Sequence, residues 1–325
     1  MKKDISLLKE ISLMRVKSKI LILLFLLICP LLRSQQEAGF SLYMFNHQAI
    51  NPAYVGAQNH TQFTLVNRSQ WNGIIGAPET QAISVGHQFE NKNVGFGLSS
   101  VIDKIGPSQN TSVALDLSYH LKLNDKNLKL GLGIKVSGRS YQMDNSMISP
   151  FDSSDLVFSS QTNNKFSPNI GAGLYLHNQK FYLGIAVPNF LEDEEFFYKR
   201  NYYTFFGGIL NMNESIKLKP SFLIQKTELL PLTYDASLLI VVRDKFWIGP
   251  QFRTRVSSGI PDQNNAGFYG AIAGVHIGEN ISLGYAYQGS SLSKNIGITN
   301  NSHELFLRFQ LAPKIQGILR SPRLF

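Results

Sequence analysis

Apolar and polar residues alternate with a period of two through most of this chain. From Asn127 to Tyr141, Leu128, Leu130, Leu132, Ile134 and Val136 share one parity, while Lys129, Gly131, Gly133, Lys135, Ser137 and Arg139 share the other. Successive strand side chains point to opposite faces, so one face is an apolar row and the other a cationic, small-residue row. Thr111–Leu123 repeats the pattern, with Val113, Leu115, Leu117, Tyr119 and Leu121 set against Ser112, Asp116, Ser118, His120 and Lys122. Pro231–Val242 does so again, with Leu232, Tyr234, Ala236, Leu238 and Ile240 facing away from Thr233, Asp235 and Ser237. Helical spacing fits none of them. Pro220 and Pro250 weaken the strand reading where they fall, because proline cannot donate to a ladder.

Short polar links at 91–93, 124–126, 177–179, 212–214, 243–245 and 278–280 interleave with longer ones near 72–79, 103–110, 142–167, 188–201, 226–231, 255–266 and 288–302. Six short and seven long connections join fourteen strands, the rhythm of an outer-membrane barrel with short periplasmic turns and longer external loops. The expected fold is therefore all-β: a transmembrane antiparallel up-and-down β-barrel of 14 strands. Residues 1–34 read as a secretory signal, with cationic Arg15, Lys17 and Lys19 before the apolar run Ile20–Ile28, and with Met14 as an alternative start. A lipoprotein anchored at Cys29 is the other reading of that segment. Residues 35–60 form an N-terminal periplasmic or plug segment, 61–311 the barrel and 312–325 a C-terminal tail. Because it precedes the first strand, Ser41–Ala57 is expected to begin on the periplasmic side.

Charge adds little about partners. The formal net charge is +9, but residues 1–34 hold seven of the 31 Lys/Arg and two of the 22 Asp/Glu, leaving 24 against 20. That excess of +4 and the lack of a basic cluster speak against nucleic acid. Cys29 is the only cysteine, so the processed chain has neither disulfide nor thiolate chemistry. Parity turns Arg68, Lys122, Lys129, Lys135, Arg139, Lys217, Lys219, Arg243, Arg253, Arg255 and Arg308 into the bore, against Asp116, Asp235 and Glu304. The bias suits either an anionic ligand or the polar lining that any barrel needs. Gly95/Gly97, Gly131/Gly133 and Gly171/Gly173 share the inward parity, where small residues permit curvature. Trp71, Phe89, Tyr119, Tyr141, Phe181, Tyr202, Tyr203, Phe246, Trp247, Tyr285 and Tyr287 suit interfacial girdles.

No catalytic, cofactor or metal constellation emerges. His303–Glu304 lacks the second histidine and the helix of a zinc protease, and adjacent strand residues face opposite ways. Asp152, Ser153, Ser154 and Asp155 lie in the longest loop, where a rim hydrolase site is the alternative to a solvated loop. The acidic run Glu192–Glu195 reads as a solubilising loop, or as a site for calcium or a basic partner.

Several segments resemble the PorP/SprF family of outer-membrane proteins, associated with the type IX secretion system of Bacteroidetes. They include Tyr43-Met44-Phe45-Asn46, Ile50-Asn51-Pro52-Ala53-Tyr54-Val55-Gly56, Arg68-Ser69-Gln70-Trp71, Gly76-Ala77-Pro78-Glu79-Thr80, Phe246-Trp247-Ile248-Gly249, Ser302-His303-Glu304-Leu305 and Ser321-Pro322-Arg323-Leu324-Phe325. The matches run in order along nearly the whole processed chain; Ala286 and His87 are minor departures. The resemblance implies a non-enzymatic accessory of secretion that supports export or surface anchoring of a cargo protein such as an adhesin, with gliding motility in some relatives. Implied partners are outer-membrane lipid, the cargo at the external loops, and periplasmic secretion components. The competing reading is a passive or lipid-substrate channel.

Overall fold

The computed structural model describes residues 39–311 except 59, 90–92, 125–126, 145–164, 194–198, 229, 257–266 and 291–300. The signal, the tail, the Asp152–Asp155 loop and most of the acidic run lie outside them. The strands are β1 Thr61–Gln70, β2 Glu79–Gln88, β3 Val94–Ile105, β4 Ser108–Lys122, β5 Lys129–Met143, β6 Lys165–His177, β7 Phe181–Val187, β8 Asn201–Gly208, β9 Leu210–Asn211, β10 Ile216–Thr227, β11 Leu232–Val242, β12 Phe246–Val256, β13 Gly267–Ile277, β14 Ile281–Ser290 and β15 Asn301–Leu311. Each pairs antiparallel with its sequence neighbour, except that β8 and β9 both pair with β10. The sheet closes where β15 meets β1, from Thr61↔Leu311 to Gln70↔Ser302. Counting β8 and β9 as one strand, this is a closed barrel of 14 antiparallel strands.

The prolines explain two interruptions. Between β8 and β9 the ladder skips the positions opposite Lys219 and Pro220, and between β11 and β12 it skips those opposite Gly249 and Pro250. A proline nitrogen has no proton to donate, so each interrupts the ladder on one side without ending the strand.

The alternation has its expected geometric result. Ile83, Ile134, Val136 and Leu305 stand outward with more than half of their surface bare, while Asp116, Lys135, Asp235 and Glu304 are buried inward. An apolar exterior of this extent needs hydrocarbon around it. Two expectations change. The link expected at 103–110 is a tight turn, because β3 runs to Ile105 and β4 begins at Ser108. Tyr203 and Trp247 belong to no girdle: they point inward, 5% and 2% exposed, because the bore holds an apolar filling that the lumen pattern alone does not reveal.

Candidate functional site: the occupied lumen

The filling is the chain's own segment from Gly39 to Gln58. It folds as a 3-10 turn at Tyr43–Phe45, a short helix at His47–Ile50 and a second 3-10 turn at Pro52–Tyr54. Asn51 starts the last of these. Its side-chain oxygen accepts from Ala53 N at 2.9 Å, with Pro52 supplying a helical φ at the first position. Leu42, Tyr43, His47, Asn51 and Ala53 are at most 1% exposed.

Polar contacts fix the upstream half in the long-loop half of the barrel. Both Glu304 oxygens accept backbone protons, from Ser41 at 2.6 Å and from Leu42 at 2.8 Å. Arg253 donates to Asp235 at 2.7 Å and to Phe40 O at 2.8 Å. Gln251 donates to Ser41 O and to Asp235, both at 2.8 Å. The expectation that this segment begins at the periplasmic, short-turn side is corrected here. Its first described residues lie against Arg253, Asp235 and Glu304, near the long-loop ends of β12, β11 and β15, and only its last residues reach the short turns. Side-chain partners, not chain order, set that path.

Below this cluster the contacts become aromatic. Phe45 packs on Trp247 and Phe306 with ring centroids 4.6 and 5.2 Å away, beneath Lys219, while Arg308 donates to its carbonyl. His47 sits among Tyr54, Tyr175, Tyr182 and Phe205. Burial holds its ring well below the usual histidine pKa, with Arg308 and Lys219 adding to the effect. Gln48 reaches Val85 O at 3.1 Å and Asp116 at 3.3 Å. Lys135 pairs with Asp116 at 3.2 Å and donates to Gln48 O.

The paired glycines seat this segment. A Cβ on Gly133 would stand 2.2 Å from Ala53 N, one on Gly131 2.6 Å from Ala53 O, one on Gly173 2.1 Å from Asn51 Oδ1, and one on Gly95 2.3 Å from Val55 O. At Gly95, Gly131 and Gly133 backbone packs on backbone, and at Gly173 the Asn51 side chain fills the space. Gly171 instead accommodates Pro188. Curvature alone does not explain such contacts; close approach does.

The other sequence candidates fall as follows. Arg68 is inward and buried, donating to Gln70 at 3.1 Å. Thr80 is fully buried and donates to Asp103 at 2.6 Å. Arg139 lines a small cavity of about 50 Å³ with Lys135, Ser137 and Asn189, in the long-loop half. Lys129 stands half-buried at the short-turn end. Pro78 is buried and Trp71 exposed, both in the link after β1. His303 faces outward and bonds Tyr285 at 2.6 Å, while Glu304 faces inward, so the two share no site. Arg243 is an exposed turn residue, not a lumen one, because the strand parity ends at Val242. The Arg255 side chain lies outside the description. No group of three or more His, Asp or Glu able to hold a metal ion occurs among the described residues. Nothing in the pattern marked Gln251, Phe306 or Tyr175 beforehand; their inward parity was the available signal.

A sequence profile described as type IX secretion system membrane protein PorP/SprF matches residues 32–309. The chain belongs to this family. This PorP/SprF protein is an outer-membrane β-barrel, as its closed 14-strand sheet and apolar exterior require. No protein of curated function matches it by sequence. Among solved structures it is similar to the Acinetobacter baumannii outer-membrane protein Omp33, at 9% identity and TM-score 0.45, over 79% of this chain and 100% of that one. It is also similar to the CymD monoaromatic hydrocarbon channel, at 9% identity and TM-score 0.49 over 84% and 94% of the two chains. The KdgM porin in complex with disordered oligogalacturonate gives 11% identity and TM-score 0.38 over 77% and 99%.

Proposed function

We propose that this PorP/SprF protein is a non-enzymatic, non-conducting accessory of type IX secretion that anchors or helps export one partner cargo at its long-loop end. The observation that carries this reading is the occupied bore. A lumen packed from Gly39 to Gln58 with buried aromatic and hydrogen-bonded side chains has no room for a diffusing solute or an extended polypeptide. Work is then left to the two ends. By the general rule for such barrels the longer loops face outward, and the links at 144–164, 188–200, 257–266 and 291–300 are the long ones here. They are the surface offered to an adhesin-like cargo, while the short turns and the foot of the lumen segment face periplasmic components.

Two measurements test this. Purified protein in planar bilayers should show no steady conductance, and removing residues 39–57 should create one. In the producing cell, loss of the protein should remove one surface cargo while unrelated type IX cargo is still exported. Steady conductance by the intact chain, or uniform loss of all cargo, would overturn the reading in favour of a channel or a general export component.

A further inference from the structure

Lys122 ends β4 and Lys129 begins β5, and the ladder sets them directly opposite each other at the short-turn mouth of the lumen. Like charges in that position repel. No carboxylate lies within salt-bridge distance of either among the described residues. Lys122 is exposed and Lys129 half-buried, so the repulsion is only partly screened by water.

Two histidines share the corner. His177 is the register partner of Lys129 on the next strand, and His120 lies two residues before Lys122 on the same face. Their rings meet edge to face with centroids 5.6 Å apart, and they are 7% and 1% exposed. His120 Nε2 lies 2.7 Å from Val55 O, which places its proton there. Its Nδ1, also unpartnered, is then an acceptor that no anion could satisfy, whereas Nε2 of His177 is without a partner and free to carry a proton. Buried ring nitrogens normally find partners.

A lysine pair with no carboxylate partner among the described residues and an under-bonded His177 thus meet at one corner, and a single bound anion would answer both deficits. A divalent metal would not, because two ammonium groups repel it. We infer that Lys122, Lys129 and His177 bind a phosphate group at this mouth. Phosphate fits better than carboxylate: it brings up to two negative charges and at least three acceptor oxygens, enough for two ammonium groups and one ring N–H. Because His120 holds Val55 O, the bound group sits beside the foot of the lumen segment and braces it. The inference rests on the barrel alone, whatever the cargo.

The test uses full-length protein in non-ionic detergent, titrated with inorganic phosphate and with a short-chain phosphatidic acid and followed by phosphorus NMR and thermal unfolding. Saturable binding is expected, weakened about tenfold or more in K122Q/K129Q through loss of two charge-assisted contacts. Binding of both probes marks a site for free phosphate; binding of the lipid probe alone marks a headgroup site. In phosphate-free buffer K129E should unfold at a higher temperature than the parent, because Lys122 gains an opposite charge across the ladder, yet show no phosphate-induced shift. A merely structural lysine pair would leave that shift in place. The inference falls if neither probe binds, if the double variant binds as the parent does, or if removing the repulsion lowers stability in phosphate-free buffer.

Discussion

Glu304 has no exposed surface, and its charge is matched by two backbone protons from the lumen segment. Truncating it to alanine leaves both donors buried without acceptors. Each charge-assisted bond contributes about 1.5–3 kcal/mol, so E304A should unseat residues 39–42 at a cost of about 3 kcal/mol or more. The readout is faster protease cleavage within 39–58 while the barrel keeps its folded gel mobility. Gly133→Val should give the same phenotype by collision, since the first added carbon would lie 2.2 Å from Ala53 N. Gly289→Ala is the control, because its added carbon meets only ordinary contacts of 3.5 Å or more. His47 adds a pH dependence. Burial depresses its pKa in the seated state, so a released segment binds a proton that the seated one refuses. Seating is therefore strongest at neutral pH and weakens as pH falls below about 6.5, the value of an unperturbed histidine. Protection from an acid-tolerant protease, followed from neutral pH downward, checks the sign.

At the scale of elements, the strands were legible because one buried and one lipid-covered face impose a strict period of two. The stretch expected from Asn127 to Tyr141 is β5 at Lys129–Met143, and Pro231–Val242 is β11 at Leu232–Val242. Closure was legible through the rhythm of the links, despite the tight turn at 106–107. The seating of the lumen segment was not. Phe40–Val55 carries no period, because its side chains face a surrounding wall rather than two sides of a sheet. For the same reason Trp247 read as an interfacial residue when it is the platform for Phe45. Inward charges were placed by parity, but their partners stand across the ladder on the neighbouring strand, as in Asp116–Lys135 and Asp235–Arg253, or in the lumen segment, and no local spacing links them. Pro220 can be tested as a deliberate defect: Pro220→Ala restores the proton missing opposite Gly208. One recovered backbone bond contributes about 1 kcal/mol, so this variant should unfold at a higher temperature, with the new amide of residue 220 protected from hydrogen exchange.

For the whole molecule, inside and outside are inverted relative to a water-soluble protein, and neighbours in sequence carry opposite requirements. Ile134 and Lys135 show this most directly. Ile134 faces lipid with 55% of its surface bare, and a cation there must leave water for hydrocarbon. Arginine or lysine on the outer face of such a barrel costs about 2–4 kcal/mol at the bilayer midplane and less near the interfaces. Lys135 is 5% exposed and faces inward, where Asp116 at 3.2 Å and the carbonyl of Gln48 receive its charge. Making it apolar would strand Asp116, a change that costs about 3–5 kcal/mol when one partner of a buried ion pair is removed. Equilibrium unfolding from lipid vesicles should therefore find both Ile134→Arg and Lys135→Met destabilised, for opposite reasons. Thickness separates the two causes. The Ile134→Arg penalty should shrink in thin bilayers, where the interface comes within reach of the guanidinium, while the Lys135→Met penalty stays constant because its origin is inside the bore. If both penalties move with thickness, the assignment of these two faces is wrong, and the accounts of the lumen segment and of the closed bore fail with it.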